Sequence, residues 1–190
     1  SSVASLAALL IAVSQLPSLT WWLWPIPVAL FVAYPYTKRV TWACHLVLGI
    51  SIGIAPIGGW IAVTGHFAWP PVLLWAGVAT WIAGFDVIYA LLDVDSDRRE
   101  GVRSVPVRFG EHGALRIALA LHVATVALLA LAGVGAGMTW PYYVGVAACA
   151  AILAFEHLHV RPGDAARINA AFGTANMVMS LVFLAGVACA

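Results

Sequence analysis

No acidic residue precedes Asp86 in the 190-residue chain, and charge of either sign is scarce throughout, at 9% of positions. With 63% hydrophobic residues and a mean hydropathy of +0.98, a water-soluble domain of this length could not cover itself with polar surface. The chain therefore reads as an integral membrane protein. Its few Lys and Arg residues form no basic tract and the net charge is only +1, so nucleic acid is excluded as a partner. Cys44, Cys149 and Cys189 lie singly in apolar runs, without metal-ligand spacing or the pairing of a secreted scaffold, and read as small core residues. The opening Ser1-Ser-Val-Ala-Ser has neither Met nor the positive segment of a signal peptide. The first apolar run is thus expected to be a span, in a chain that begins partway through a longer protein.

What is present is apolar runs in series. They predict an all-α, polytopic transmembrane helical bundle, one membrane domain over 1–190, with about seven spans. These are expected at about 3–16, 22–36, 42–64, 71–93, 113–134, 141–157 and 169–188. The connections at 17–21, 65–70 and 135–140 hold no Lys, Arg, Asp or Glu, whereas those near 37–41, 94–112 and 158–168 hold nearly all of them. By the bias of positive residues, the charged set and the N-terminus are expected on the cytoplasmic side of the cell membrane. Trp21, Trp22, Trp24, Trp69, Trp140, Tyr142 and Tyr143 gather at the uncharged ends, as interfacial anchors do. Pro56 falls inside the third span beside Gly49, Gly53, Gly58 and Gly59, a pattern that suits either close helix packing or a kink toward a cavity.

More than half of the charged residues fall between Phe85 and Gly110. Read as one helix, Asp86, Tyr89, Asp93 and Asp97 lie along a single face. A carboxylate in hydrocarbon costs several kcal/mol unless it is paired or bound to metal. Asp93 and Asp97, one turn apart, suit Mg²⁺, which keeps several waters and is commonly held by one or two carboxylates plus phosphate oxygens. Asp86, about two turns inside its span, fits a buried paired carboxylate and a functional one equally. Tyr34-Pro-Tyr-Thr-Lys-Arg39 is read as a loop opening on the same side; Lys38 and Arg39 there are either topology anchors or a clamp on phosphate oxygens. Arg103 and Arg108 either solvate their loop or fold over a bound anion.

The last charged segment, 156–176, is read as a loop into the final span, with Asp164 as its cap and Asn169 and Asn176 sharing a face. His157 and His159 stand two apart, the wrong spacing for metal ligands on one helix face. Asp93-Val-Asp-Ser-Asp97 imitates the start of a Ca²⁺-binding EF-hand loop, but Arg98 replaces the required Gly and Ser104 the required Glu.

With Asp86-x-x-Tyr-Ala-x-x-Asp93-x-x-x-Asp97, followed by Gly101, Ser104 and Phe109-Gly110, the chain resembles the UbiA family of intramembrane aromatic prenyltransferases. Tyr34-Pro-x-x-Lys38-Arg39 is similar to a further element of that family, and Arg167-x-Asn-x-x-Phe172 with Asn176 looks like its 4-hydroxybenzoate branch. The resemblance implies a helical bundle with a cavity open to lipid, in which Mg²⁺ holds a polyprenyl diphosphate. Ionisation of that donor gives an allylic cation, which an aromatic acceptor such as 4-hydroxybenzoate attacks. It further implies Asp93 and Asp97 as metal ligands, Lys38 on diphosphate, and Tyr34, Arg39 and Asp86 around the site; Tyr89 on the acidic face and Arg103 are expected to join them in binding substrate. The family's first motif, Asn-Asp-x-x-Asp-x-x-x-Asp, has no counterpart before Tyr34. The chain thus looks like the family without its first two helices, with the missing half expected from a longer product or a separate N-terminal fragment. Two alternatives stand beside an active enzyme: an inactive remnant or accessory subunit, and a small cation or proton transporter.

Overall fold

The computed structural model describes residues 2–190, except for the side chains of residues 2, 3 and 172. Among the described residues all regular structure is helical, as lipid demands of a chain that must satisfy its own backbone groups. Helix α1 runs Ser2–Ser14, α2 Ser18–Leu23, α3 Pro25–Val40, α4 Cys44–Gly53, α5 Ala55–Thr64 and α6 Trp69–Tyr89. A 3₁₀ turn at Ala90–Leu92 leads to α7, Val94–Glu100, then α8, Val105–Ala136, and α9, Trp140–His159. Helix α10, Ala165–Ala170, joins α11, Asn176–Ala188, through a wide π-turn at Ala171–Ala175.

Among the described residues five runs are long and apolar enough to cross a membrane: Cys44–Thr64, Trp69–Leu92, Val105–Ala136, Trp140–His159 and Ala165–Ala188. They correspond to the last five spans expected from the sequence. The first two differ. Helix α1 has 13 residues and α3 has 16, short of the roughly 20 that a crossing takes. Pro25 and Pro27 explain the second case: lacking amide protons, they start a helix more readily than they continue one, so the run breaks at Trp24. Helix α3 then continues past Pro35 to Val40. Tyr34, Lys38 and Arg39 therefore lie on a helix and not in a loop, with the two cations in its last turn, where the macrodipole favours them.

Helix α6 is the centre of the bundle, packed between α4 and α8; α3 covers α4, while α9 bridges α8 and α11. Both readings of the Pro56 segment are realised at different positions. A Cβ on Gly49 or Gly53 would run into the backbone of Ala79, so these glycines let α4 and α6 touch main chain to main chain. Gly58 and Gly59 meet nothing, and the helix is interrupted at Ile54, just before Pro56, beside an apolar cavity.

Successive long helices reverse direction, which gathers the connections at 41–43, 93–104 and 160–164 at one end and those at 65–68 and 137–139 at the other. The sorting of charged from uncharged connections is thus also a sorting in space. Trp22, Trp69 and Trp140 stay exposed at the uncharged end. Tyr142 departs from the expected belt: it is buried, donating its hydroxyl hydrogen to the Leu129 carbonyl at 2.7 Å, because Gly133 leaves room for its ring.

Candidate functional site

The acidic stretch does not form one helix. Helix α6 ends at Tyr89, and Asp93, at φ −106° and ψ 6°, occupies the N-cap position of α7. The backbone breaks there for a local reason. Asp95 and Asp97 fall in the first turn of the new helix and Arg98 and Arg99 in its last, each sign at the end of the macrodipole that favours it. Asp86 and Tyr89 thus sit on α6, Asp97 on α7, and Asp93 at the junction, which corrects the expected single face.

Asp86 is held by a residue that the sequence reading overlooked. His45, 5% exposed near the start of α4, lies with Nδ1 2.7 Å from Oδ2 of Asp86, and its Nε2 accepts the Val105 backbone N–H at 3.2 Å. One imidazole therefore joins α4, α6 and α8. The signal available in sequence was a lone ionisable residue within a span; its partner stands 41 positions away.

Around this centre the connections are fastened together. The Arg103 amide donates to the Lys38 carbonyl at 2.8 Å, its guanidinium donates to the Val40 carbonyl at 2.9 Å, and the Cys44 thiol faces the Arg103 carbonyl at 3.7 Å. Trp42 and Phe109 meet edge to face, ring centres 5.1 Å apart. Arg103 is thereby committed to the end of α3. Lys38 and Arg39 are exposed on the same turn of α3, and among the described residues neither enters an ion pair. Tyr34, one turn earlier, is half-buried and within electrostatic reach of Asp86. Tyr89 packs against the core formed by Val87, Ile88 and Leu91.

Asp86 lines a cavity of about 400 Å³ with Trp81, Phe85, Ile52 and Asn176. Ile52 also lines a larger apolar cavity, about 800 Å³, bounded by α2, α3, α4 and α5. One carboxylate therefore stands at the edge of greasy space. Asn169 is exposed while Asn176 reaches the Asp86 cavity: the π-turn between them widens the helix, so their spacing no longer amounts to two α-turns. The Phe172 side chain lies outside the described residues. Asp164 does cap α10, accepting the Arg167 amide at 3.1 Å.

Among the described residues no three His, Cys, Asp or Glu side chains converge as a metal site. The carboxylates of Asp93 and Asp97 engage no described partner, Asp93 exposed and Asp97 half-buried. Two uncommitted carboxylates fit a hard divalent cation that takes its other oxygens from water and phosphate, though not a closed protein cage.

A separate polar cluster lies on α8 and α9. His122 Nδ1 is 2.9 Å from His157 Nε2, and Glu156, 2% exposed, has neither oxygen hydrogen-bonded among the described residues. Both Glu156 and His157 belong to the last turns of α9, not to a loop.

Comparison with known proteins agrees with this architecture. The model of the UbiA prenyltransferase family matches residues 1–184. The chain is 33% identical over 186 residues to the 4-hydroxybenzoate octaprenyltransferase of Cupriavidus necator, covering 96% of this chain and 64% of that protein. It is 40% identical over 111 residues to the 4-hydroxybenzoate solanesyltransferase of a Synechocystis species, covering 57% of this chain and 38% of that one. The apo structure of a UbiA homolog from Aeropyrum pernix superimposes with a TM-score of 0.82 at 32% identity, over 94% of this chain and 66% of the other. This chain thus spans just under two thirds of the first relative and of the solved structure. With its helical architecture and its sequence in agreement, the chain belongs to the UbiA prenyltransferase family.

Proposed function

We propose that this chain forms the diphosphate-binding side of a membrane enzyme that transfers a polyprenyl group from its diphosphate to an aromatic acceptor such as 4-hydroxybenzoate, in quinone biosynthesis. The observation that carries the reading is the 2.8 Å bond from the Arg103 amide to the Lys38 carbonyl, which fastens the acid-rich stretch to the basic end of α3. Lys38 and Arg39 are cations suited to the oxygens of a leaving diphosphate. Asp93 and Asp97 would hold Mg²⁺, which supplies positive charge to the same leaving group. Asp86, at the edge of the apolar cavity, is placed to favour the positive charge that develops on the prenyl carbon.

In the reaction the bond between the donor's allylic carbon and oxygen breaks, diphosphate departs with the electron pair, an aromatic ring carbon bonds to the cation, and the ring loses a proton. The larger of the two cavities is lined almost entirely by apolar side chains and suits a prenyl tail. The charged connections would face the cytoplasm and the protein would reside in the inner membrane. A transporter reading finds no support among the relatives, which bear prenyltransferase names.

The test uses membranes that express the protein at its natural length, supplied with labelled polyprenyl diphosphate, 4-hydroxybenzoate and Mg²⁺. Prenylated acceptor should form with the wild type and fall by at least about 100-fold in Asp93→Ala and Asp97→Ala, the loss of roughly 2.7 kcal/mol of transition-state stabilisation. Equal product from wild type and both variants would overturn the reading.

A further inference from the structure

We propose that His45 is a positioning residue for Asp86: held in a single tautomer by the Val105 amide, it fixes one oxygen of that carboxylate and ties it to the segment that ends the acid-rich stretch. The inference deepens the prenyltransferase reading and rests on it for its catalytic consequence, but not for its geometry.

A backbone N–H only donates, so where Val105 meets Nε2 at 3.2 Å that nitrogen must present its lone pair. The ring proton is then on Nδ1, 2.7 Å from Oδ2 of Asp86, and the carboxylate accepts it. A doubly protonated ring would point an N–H at the Val105 N–H, and the opposite neutral tautomer would set a lone pair against a carboxylate oxygen. Both alternatives leave buried polar groups opposed, at about 1–3 kcal/mol each. The neutral, Nδ1-protonated ring is the one state that satisfies every group.

Two consequences follow for the chemistry. His45 is not a general base, since its one lone pair is already engaged. Its role is instead mechanical and electrostatic. The bond takes Oδ2 of Asp86 and so restrains the carboxylate beside the cavity that Asp86 lines. Because Val105 follows directly on Arg103 and Ser104, any shift of the fastened connection is passed through the imidazole to Asp86. The sequence separations of 41 and 60 residues make this a tertiary device and not a local turn.

Glutamine at position 45 offers an N–H for Asp86 and an oxygen for Val105, whereas leucine offers neither. The first measurement needs no substrate: ring-nitrogen NMR of purified protein labelled with ¹⁵N-histidine. The signal that disappears in His45→Gln should report one protonated and one bare ring nitrogen, with the proton on Nδ1. A doubly protonated ring, or the proton on Nε2, overturns the proposal. The second compares transfer rates in membranes. His45→Leu should lower kcat by about 10–100-fold, in the range for losing a supporting partner, with the KM for diphosphate donor little changed. His45→Gln should restore most of the loss. Full activity in His45→Leu, or a folded His45→Gln as impaired as His45→Leu, would refute the role. Should the wild type transfer no prenyl group, the functional reading falls while the nitrogen spectrum still decides the geometry.

Discussion

The amide of Arg103 and the carbonyl of Lys38 are 2.8 Å apart, so the basic end of α3 and the last residues of the acid-rich stretch move as one piece. This bond belongs to the backbone, whereas the second attachment, from the guanidinium to the Val40 carbonyl, belongs to the side chain. Arg103→Ala should therefore loosen the connection by about 1 kcal/mol, the usual net worth of one such hydrogen bond. Arg103→Pro, which also lacks the amide proton, should loosen it further. Amide exchange in residues 101–105, followed by mass spectrometry, should rise several-fold in the first variant and at least about tenfold in the second, tenfold being 1.4 kcal/mol. Unchanged exchange in both would mean the fastening contributes nothing.

Close contact between α4 and α6 gives a paired prediction. Gly49→Ala forces a methyl group into the Ala79 backbone and should cost at least about 1–3 kcal/mol, the range for overpacking. Gly58→Ala, whose methyl would meet open space within a helix, should be neutral or stabilise by up to about 1 kcal/mol. Thermal unfolding in detergent should order the proteins as Gly58→Ala, wild type, Gly49→Ala.

Gly110 interrupts α8 with φ 73° and ψ 168°, a region that side-chain-bearing residues avoid. No atom obstructs a methyl group there, so the penalty in Gly110→Ala is purely one of backbone conformation, about 1–3 kcal/mol. Because Phe109 rests on Trp42, the fluorescence of Trp42 should shift in this variant, read against Trp42→Phe.

Burial of Tyr142 predicts a loss on removing its hydroxyl alone. Tyr142→Phe keeps the ring against Gly133 and gives up the bond to the Leu129 carbonyl. A decrease of about 0.5–1.5 kcal/mol should appear in the same unfolding assay. No change would mean that the bond to the Leu129 carbonyl contributes nothing to stability.

Much of the architecture was legible in the chain because lipid simplifies the code. Apolar runs such as 113–134 and 141–157 must be helical to satisfy their own amides, and the charged connections had to gather at one end. Residue chemistry also put the basic turn of Lys38 on the side of the bundle where Arg103 meets it, and named Asp164 as a cap. What stayed hidden required either a break in the helical period or a partner far along the chain. The spacing of Asp86, Asp93 and Asp97 fits one helix on paper, but spacing alone cannot register that Asp93 starts a new one. Pro25 and Pro35 carry the same chemistry, yet one begins α3 and the other lies within it. His45 gave only the signal of an isolated polar residue in a span, since its two partners come from α6 and from the start of α8. Tyr142 looked like its neighbour Tyr143 until Gly133 was known to face it.

The interruption at Asp93 bears on how such a protein tolerates change. In an unbroken rod, one residue inserted into α6 would swing everything downstream by about 100°, carrying the acidic pair away from the basic turn. Because α7 is a separate short rod anchored by the following strap to α3, such a rotation is absorbed at the joint. Asp93 and Asp97 thereby keep their place beside the basic turn, whereas Asp86, on α6 itself and bonded to His45, would turn with the rod.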